Sequence, residues 1–518
     1  MTQETVKGTK PQKFTRVFVI SLFFTACVGA WGLIDPEGMT GAFGGFTSYM
    51  LESLSWYWLL LTTGLLILIG YMAFGPYAHI RLGKDDERPE FSTLSWLSML
   101  FASGMGAGLL FWGVAEPMTH FQNPPGMAGG TAQAAREAFV ITNLHWGFHA
   151  WAIYGMCALV IAYFSFRRGK PATISAPIAV LFSSKIGKSV GTAADVLGVL
   201  AVVFGLAGSL TMGIFQISGG LNTVFNLESS TALSLMIMAA LFVSYMVSAS
   251  TGLGKGIKIL SQLNMLLAIT LLAIVIIFGP TVFIMETFVN SIGDYFTRLP
   301  QMAFKLYPFE GLSSWMSGWT LTYLIWWLAW GPFVGVFIAR ISRGRTIREF
   351  CLGVVLIPTL FSVLWFSVFG GSAIYIELFG GGGISELVAT DVTSALFSFL
   401  DYFPLGYVLG ILACVLIFIF LVTSADSGTF VLSMLTMNGN LNPSLSHKLV
   451  WGVLIAAITT GTVLSGSVPV AMAMAIVGAL PFSVFLLLQI VGFLREIRKE
   501  LHDPADQNEI LSTLTKEG

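Results

Sequence analysis

The chain has 518 residues, 55% of them hydrophobic and only 10% charged, with a mean hydropathy of +0.81. Soluble domains carry about 25% charged residues, so this composition excludes an ordinary soluble protein and points to a membrane. The net charge is −1 and no basic face is concentrated, which argues against a nucleic-acid partner.

A transmembrane helix needs about 20 apolar residues. Twelve segments meet that length, over 15–34, 56–75, 95–115, 139–165, 192–218, 230–249, 257–283, 318–340, 353–375, 405–431, 448–466 and 472–494. The first follows Lys7, Lys10, Lys13 and Arg16 and has the polarity of a signal peptide, with the small residues of 26–30 open to cleavage. Its apolar run is long enough to span, so it reads as a retained helix. Trp56 and Trp58 open the second segment and read as an interfacial belt. The third carries Ser103-Gly104-Met105-Gly106-Ala107-Gly108 in mid-span.

The fourth segment reads N-L-H-W-G-F-H-A-W-A-I-Y. On a continuous helix Trp146, Trp151 and Tyr154 fall within an arc of about 140°, either one wall of an aromatic cage or part of a belt. His145 and His149 stand at i, i+4, a spacing that suits zinc. No H-E-x-x-H pattern and no neighbouring third ligand accompanies them, so helix-to-helix hydrogen bonding is the expected role. Cys27, Cys157, Cys351 and Cys414 lie in or beside apolar segments without paired spacing, and read as small core residues.

The eighth segment, within 315–350, carries Trp326, Trp327 and Trp330, then Gly331-Pro332, then four arginines. Trp326 and Trp330 share a helix face with Trp327 beside them, too deep for a belt. Clustered aromatic faces hold quaternary ammonium groups, and a broken membrane helix is tolerated where it is buried in protein or lines a cavity. Gly331-Pro332 is therefore read as a second interruption. The two interruptions lie five segments apart, as in transporters built from inverted repeats; the alternative is glycine used for close packing.

Residues 286–312 and 383–401 are too polar to span and read as amphipathic helices at the outer interface, the first equally as a loop. The tenth segment contains V-T-S-A-D-S-G. Asp426 is an intramembrane carboxylate and so a functional candidate. Its neighbours Thr423, Ser424 and Ser427 suit sodium or hydrogen bonding between helices, and both readings stand. With the N-terminus inside, all 26 lysines and arginines except Arg136, Arg298 and Lys305 fall on the cytoplasmic side, which places both termini there. The tail from Arg495 mixes both charges and reads as a short solvated helix.

The stretches 104–117 (G-M-G-A-G-L-L-F-W-G-V-A-E-P), 145–154, 318–333, 339–350 (A-R-I-S-R-G-R-T-I-R-E-F) and 422–428 resemble the betaine/carnitine/choline transporter family, and the likeness covers nearly the whole chain. The resemblance implies an all-helical membrane protein of the five-plus-five inverted-repeat fold, worked by alternating access, usually a homotrimer, multi-pass in the bacterial cytoplasmic (inner) membrane. The partition it implies is 1–14 as cytoplasmic tail, 15–92 as helices outside the repeats, 93–285 and 315–494 as the repeats, 286–314 as an outer amphipathic helix, and 495–518 as tail.

By the same resemblance, Trp146, Trp151, Tyr154 and Trp327 form the cage around a trimethylammonium group, with Trp326 and Trp330 on its cytoplasmic side. Gly104, Met105, Gly106 and Gly108 face the substrate carboxylate. Sodium, the coupling ion and the sole non-protein requirement expected, is held by carbonyls of Ala102, Met105 and Phe420 with hydroxyls of Thr423 and Ser424. Phe333, with Ser209 and Thr211 as a loose match to a hydroxyl pair, marks a second sodium site. Gly108 stands where choline carriers have an aspartate, which favours a zwitterion. The fifth segment has no arginine or lysine in place of an ion, so sodium coupling is retained. Leu324 replaces a tryptophan of the family signature, and the short tail argues against osmosensing.

These readings converge on a sodium-coupled importer of a betaine-type osmolyte, glycine betaine or dimethylsulfoniopropionate. The alternative is a sodium-independent exchanger of carnitine type or a proton-coupled choline carrier. An intramembrane enzyme would need a nucleophile with its base or a full metal set, and only His145 and His149 hint at one. A sensor that binds the ligand without carrying it is a further rival, separable by net flux.

Overall fold

The computed structural model describes residues 15–104, 106–251 and 256–501, and these are helical throughout, with no strand among them; a lone antiparallel bridge joins Arg81 and Thr346. The first helices are α1 (Arg16–Ile34), α2 (Pro36–Ser53), α3 (Ser55–Phe74), α4 (Thr93–Gly104), α5 (Gly106–Gln122), α6 (Ala132–Trp146) and α7 (Phe148–Ala162). A π-turn over Tyr163–Arg167 leads to α8 (Ser175–Ile178), α9 (Ser184–Phe225), α10 (Thr231–Thr251), α11 (Gly256–Phe278), α12 (Thr281–Met302) and α13 (Ser313–Met316). A second π-turn over Ser317–Leu321 opens α14 (Thr322–Ile341), followed by α15 (Ile347–Phe379), α16 (Ile384–Thr390), α17 (Ala395–Leu400), α18 (Gly406–Thr436), α19 (Leu445–Leu464), α20 (Val468–Ile476) and α21 (Ala479–Leu501).

Among the described residues eleven helical stretches are long and apolar enough to cross a membrane. The expected twelfth is the third segment, whose described residues form α4 of 12 residues and α5 of 17 on either side of Met105, which lies outside the described residues. Helix α2, rich in glycine, was not foreseen; Asp35 caps it by accepting from the Gly38 N–H at 2.9 Å, with Pro36 at its first position. Phe23, Val243, Ile259 and Ile277 stand exposed on α1, α10 and α11. In water such a belt would be a sticky patch; in a membrane it is the surface that faces lipid.

The core is built where α7, buried along its whole length, packs on α14. Glycine makes that approach close: a Cβ on Gly335 would lie 2.7 Å from Cys157 Cβ, and one on Gly331 would lie 3.0 Å from Cys157 Sγ. Gly331-Pro332 therefore does not interrupt the eighth segment, contrary to expectation. Helix α14 runs through Pro332, and Gly331 serves as a contact point between helices. The irregularity lies earlier, in the π-turn over Ser317–Leu321.

The fourth segment is broken instead. Gly147, with φ −102° and ψ −131°, separates α6 from α7, so Trp146 is not on one helix face with Trp151 and Tyr154. The Phe148 N–H freed there donates to Tyr295 Oη at 2.9 Å. Tyr295 sits on α12, so the first outer amphipathic segment is a helix, and it braces the break. Arg298 pairs with Glu137 at 2.7 Å and Arg136 with Asp294 at 2.6 Å, which accounts for two of the three outer cations. The second outer segment forms α16 and α17.

On the opposite side the arginine-rich stretch after α14 docks on the loop after α3. Arg345 is buried, stacks 3.9 Å from the Trp96 ring and donates to the Phe91 carbonyl at 3.0 Å. Arg340 pairs with Glu90 at 2.9 Å.

Three smaller expectations change. Cys157, Cys351 and Cys414 are buried, but Cys27 is exposed on the apolar outer face of α1. Trp56 is exposed as a belt residue would be, whereas Trp58 is buried and donates to the Met50 carbonyl at 3.0 Å, which ties α3 to α2. The tail does not begin a separate helix at Arg495, because α21 continues to Leu501 and its buried Glu496 accepts from Arg168 at 2.8 Å.

Candidate functional site

Between α5, α9, α14 and α18 lies a cavity with about 630 Å³ of empty space, counting the part open to solvent. Trp146, Trp326, Trp327 and Trp330 line it, with Gly106 and Gly108 from the start of α5. Each ring is held. Trp327 Nε1 donates to the His145 carbonyl at 2.7 Å, Trp330 Nε1 to the Gly205 carbonyl at 3.2 Å, and Trp146 Nε1 to Glu116 Oε2 at 2.7 Å. The Trp326 and Trp327 rings lie nearly parallel, 17° and 6.3 Å apart, and Trp146 meets Trp327 edge-on at 5.0 Å. The faces of such rings attract cations.

Trp151 and Tyr154 do not line the cavity. Tyr154 meets the Trp327 ring at 5.8 Å and Trp151 meets Tyr154 at 5.8 Å, so they form a row behind it. Trp151 Nε1 and Tyr154 Oη are buried with no hydrogen-bond partner among the described residues. Leu324 is fully buried.

The break in the third segment falls on the cavity wall. Gly104 ends α4 and Gly106 opens α5 at φ +44°, a backbone conformation that suits glycine; Met105 lies outside the described residues. The positive end of the α5 dipole lies there. A Cβ on Gly108 would lie 3.1 Å from the Trp146 ring, so any side chain at 108 presses on that indole.

Across from the break stands α18. Ser424 lines the cavity, and its Oγ is 3.9 Å from where a Cβ on Gly106 would lie. Thr423 Oγ1 donates to the Phe420 carbonyl at 2.9 Å and accepts from Asn264 Nδ2 at 3.3 Å. Phe420, Thr423 and Ser424 lie together on α18, and Ala102 lies in the last turn of α4. Asp426 turns elsewhere, accepting a short hydrogen bond from Ser248 of α10.

In the second group, Ser209 and Thr211 face different ways. Ser209 lines the cavity, but Thr211 lies about 160° around the same helix and donates to the Ala207 carbonyl at 2.9 Å. Phe333 packs its ring on Trp330 at 5.4 Å.

His145 and His149 fall on either side of the Gly147 break and take separate partners. His149 Nε2 lies 3.2 Å from Thr63 Oγ1, and His145 bridges Glu116 and Thr320 at 2.6 and 2.9 Å. The two histidines do not converge on one point and hydrogen-bond to other helices, while His145 gathers with Glu116 and His120, their ligand atoms within 4.8 Å of one another. Sequence reasoning missed Glu116, Gln216 and Asn264, all buried. The rule that flagged Asp426 would have flagged Glu116 had the third segment been drawn one residue longer. Gln216 lines the cavity, and its Oε1 has no partner among the described residues.

Apolar helices with a lipid-facing belt, closed around an aromatic cavity at a broken helix, define a multi-pass membrane protein with an internal ligand-sized site. Residues 16–502 match the pattern described as BCCT, betaine/carnitine/choline family transporter, and the chain belongs to that family of multi-pass inner-membrane proteins. It is 43% identical over 486 residues to the glycine betaine transporter OpuD of Bacillus subtilis, covering 93% of this chain and 94% of that one. It is 38% identical to the ectoine/hydroxyectoine transporter of Virgibacillus pantothenticus, covering 93% and 96%. The glycine betaine transporter of Acinetobacter baylyi is 38% identical, over 93% of this chain and 73% of that protein.

Proposed function

We propose that this chain is an importer, not an enzyme, that brings a small zwitterionic osmolyte with an onium head into the cell, glycine betaine first, driven by sodium. The observation that carries the reading is the pairing of four indoles with the start of α5 around one cavity. The rings suit a trimethylammonium head, and the amides of Gly106 and its neighbours suit a carboxylate. A cation without a carboxylate satisfies only half of the site. Trp151 and Tyr154 support the cage from behind, or close on the substrate in another state of the cycle. Relatives named for glycine betaine support the substrate class, and one named for ectoine makes that zwitterion its direct competitor.

Sodium binds between the α4–α5 break and Phe420, Thr423 and Ser424, next to the substrate, so one rearrangement senses both. A second ion held by both Ser209 and Thr211 requires α9 to turn, since the two lie about 160° apart around it. In this reading α4 and α5 cross together as the third of twelve spans. The two five-helix repeats, 93–285 and 315–494, rock against each other, both termini lie in the cytoplasm, and the unit in the membrane is a homotrimer.

The test is a tryptophan-fluorescence titration of the purified protein in saturating sodium with glycine betaine, ectoine and choline. Saturable change with glycine betaine, and at least tenfold weaker binding of choline, is expected from loss of the carboxylate contacts. Saturation by choline with none by glycine betaine would overturn the proposal.

A further inference from the structure

The sequence reading assigns Glu116 no role, yet it is fully buried, late in the α5 helix that opens at the cavity. An intramembrane carboxylate is costly and persists where it is paired or does work. The two oxygens of Glu116 are both used, and both lead to the cavity. Oε2 accepts from Trp146 Nε1 at 2.7 Å, and Oε1 lies 2.6 Å from His145 Nδ1. An indole N–H can only donate, so Oε2 is an acceptor. His145 Nε2 lies 2.9 Å from the Thr320 hydroxyl. With the proton on Nδ1, His145 donates to Glu116 and accepts from Thr320, and every group is satisfied by an ionised carboxylate. His120 stands beside it with Nε2 3.5 Å from Oε1, and neither of its ring nitrogens has a hydrogen-bond partner among the described residues.

The connections run on to the second ring. The carbonyl of the same His145 accepts from Trp327 Nε1 at 2.7 Å. One carboxylate therefore holds Trp146 directly, and orients Trp327 through the residue it bonds. Both rings line the cavity and meet each other at 5.0 Å.

We propose that Glu116 is a positioning residue for the onium site, which fixes the Trp146 and Trp327 rings and, through its charge on the Trp146 N–H, makes the cavity selective for a cationic head. This rests on the onium-binding reading above. Two physical effects support it. A carboxylate bonded to the indole N–H pushes electron density onto the ring, which strengthens the negative face that attracts a cation. The bond is also charge-assisted, and in a site shielded from water it holds the ring in one orientation more firmly than a neutral partner would. A polar network of this kind is costly to leave half-made, and Thr320 and His145 supply the hydrogen bonds of this one.

Glu116→Gln separates charge from shape. The Gln carbonyl still accepts from Trp146, and its amide donates to His145 Nδ1 once that ring switches tautomer and donates to Thr320. Two ligands are compared by fluorescence titration and competition: glycine betaine and 3,3-dimethylbutanoate, its isostere with carbon in place of the charged nitrogen. The expected result is a loss of glycine betaine affinity on the order of tenfold, with the isostere changed by less than about twofold and the thermal midpoint retained. A purely structural role would weaken both ligands alike and would overturn the charge assignment. An isostere too weak to compete with either protein leaves the decision to glycine betaine, and an affinity within about twofold of wild type overturns the proposal. If Glu116→Gln does not fold, Trp146→Phe decides. It keeps a ring but cuts the link to the carboxylate, and an unchanged glycine betaine affinity there is the overturning result. Absence of saturable glycine betaine binding to the wild type is a different failure, that of the substrate reading itself.

Discussion

Trp327→Ala is expected to lower the initial rate of glycine betaine uptake, at low substrate, by on the order of 100-fold or more. Trp327 is the ring on which the others converge. It meets Trp146 at 5.0 Å, Tyr154 at 5.8 Å and Trp326 at 6.3 Å, and its N–H is anchored on the His145 carbonyl. Alanine removes a desolvated cation–π partner, worth about 2 kcal/mol, and leaves a buried hole whose walls lose their packing. Trp327→Phe keeps an aromatic face but loses the N–H anchor, and is expected to retain part of the rate. Trp151→Phe, in the row behind, should cost less than about tenfold, because it does not line the cavity and packs its ring on Tyr154. Radiolabelled uptake into cells or vesicles, normalised to the protein present, checks all three. Equal rates for wild type and Trp327→Ala would remove the aromatic cavity from the mechanism.

Thr423→Ala is expected to raise the sodium concentration for half-maximal uptake by on the order of tenfold. Glycine betaine affinity at saturating sodium should stay within about twofold, because Thr423, unlike Ser424, does not line the cavity. A hydroxyl and a freed carbonyl are hard ligands of the kind a half-helix end offers to sodium. In the structure the Thr423 hydroxyl already lies 2.9 Å from the Phe420 carbonyl, so two of the proposed ligands are adjacent. The substitution also leaves Asn264 Nδ2 without its acceptor, at a cost of about 1–3 kcal/mol to stability. Thr423→Ser controls for that by restoring the hydroxyl, and should return the sodium requirement towards wild type. Sodium dependence unchanged in Thr423→Ala would remove this residue from the ion site.

Much of the plan is legible in the sequence because the membrane restricts what a chain can do. Long apolar runs must be helices, and within the glycine cluster at 104–108 Gly106 takes a backbone conformation outside the helical range that suits glycine. The tryptophan-rich segment is legible for the same reason that it is rare, and Trp326, Trp327 and Trp330 all reach the cavity. The other breaks were misplaced because local chemistry does not decide them. Gly331-Pro332 has the residues of an interruption, but close packing on Cys157 keeps α14 continuous. Gly147 lies between aromatic residues and carries no such signal. Its break depends on Tyr295, from a helix more than a hundred residues away, taking up the freed N–H. A helical projection that assumes continuity therefore put Trp151 and Tyr154 on the same wall as Trp146. Glu116 and Asn264 are visible as polar residues in apolar surroundings, yet what each touches is a property of the packed helices alone.

The central claim is that sodium drives the substrate uphill, and the most direct measurement is labelled glycine betaine uptake into proteoliposomes with an inward sodium gradient, an inward proton gradient, or neither. Accumulation above the outside concentration only with the sodium gradient is the predicted result. Uptake that ignores sodium and appears only when the vesicles are preloaded with betaine or carnitine would contradict it, and would make the protein an exchanger.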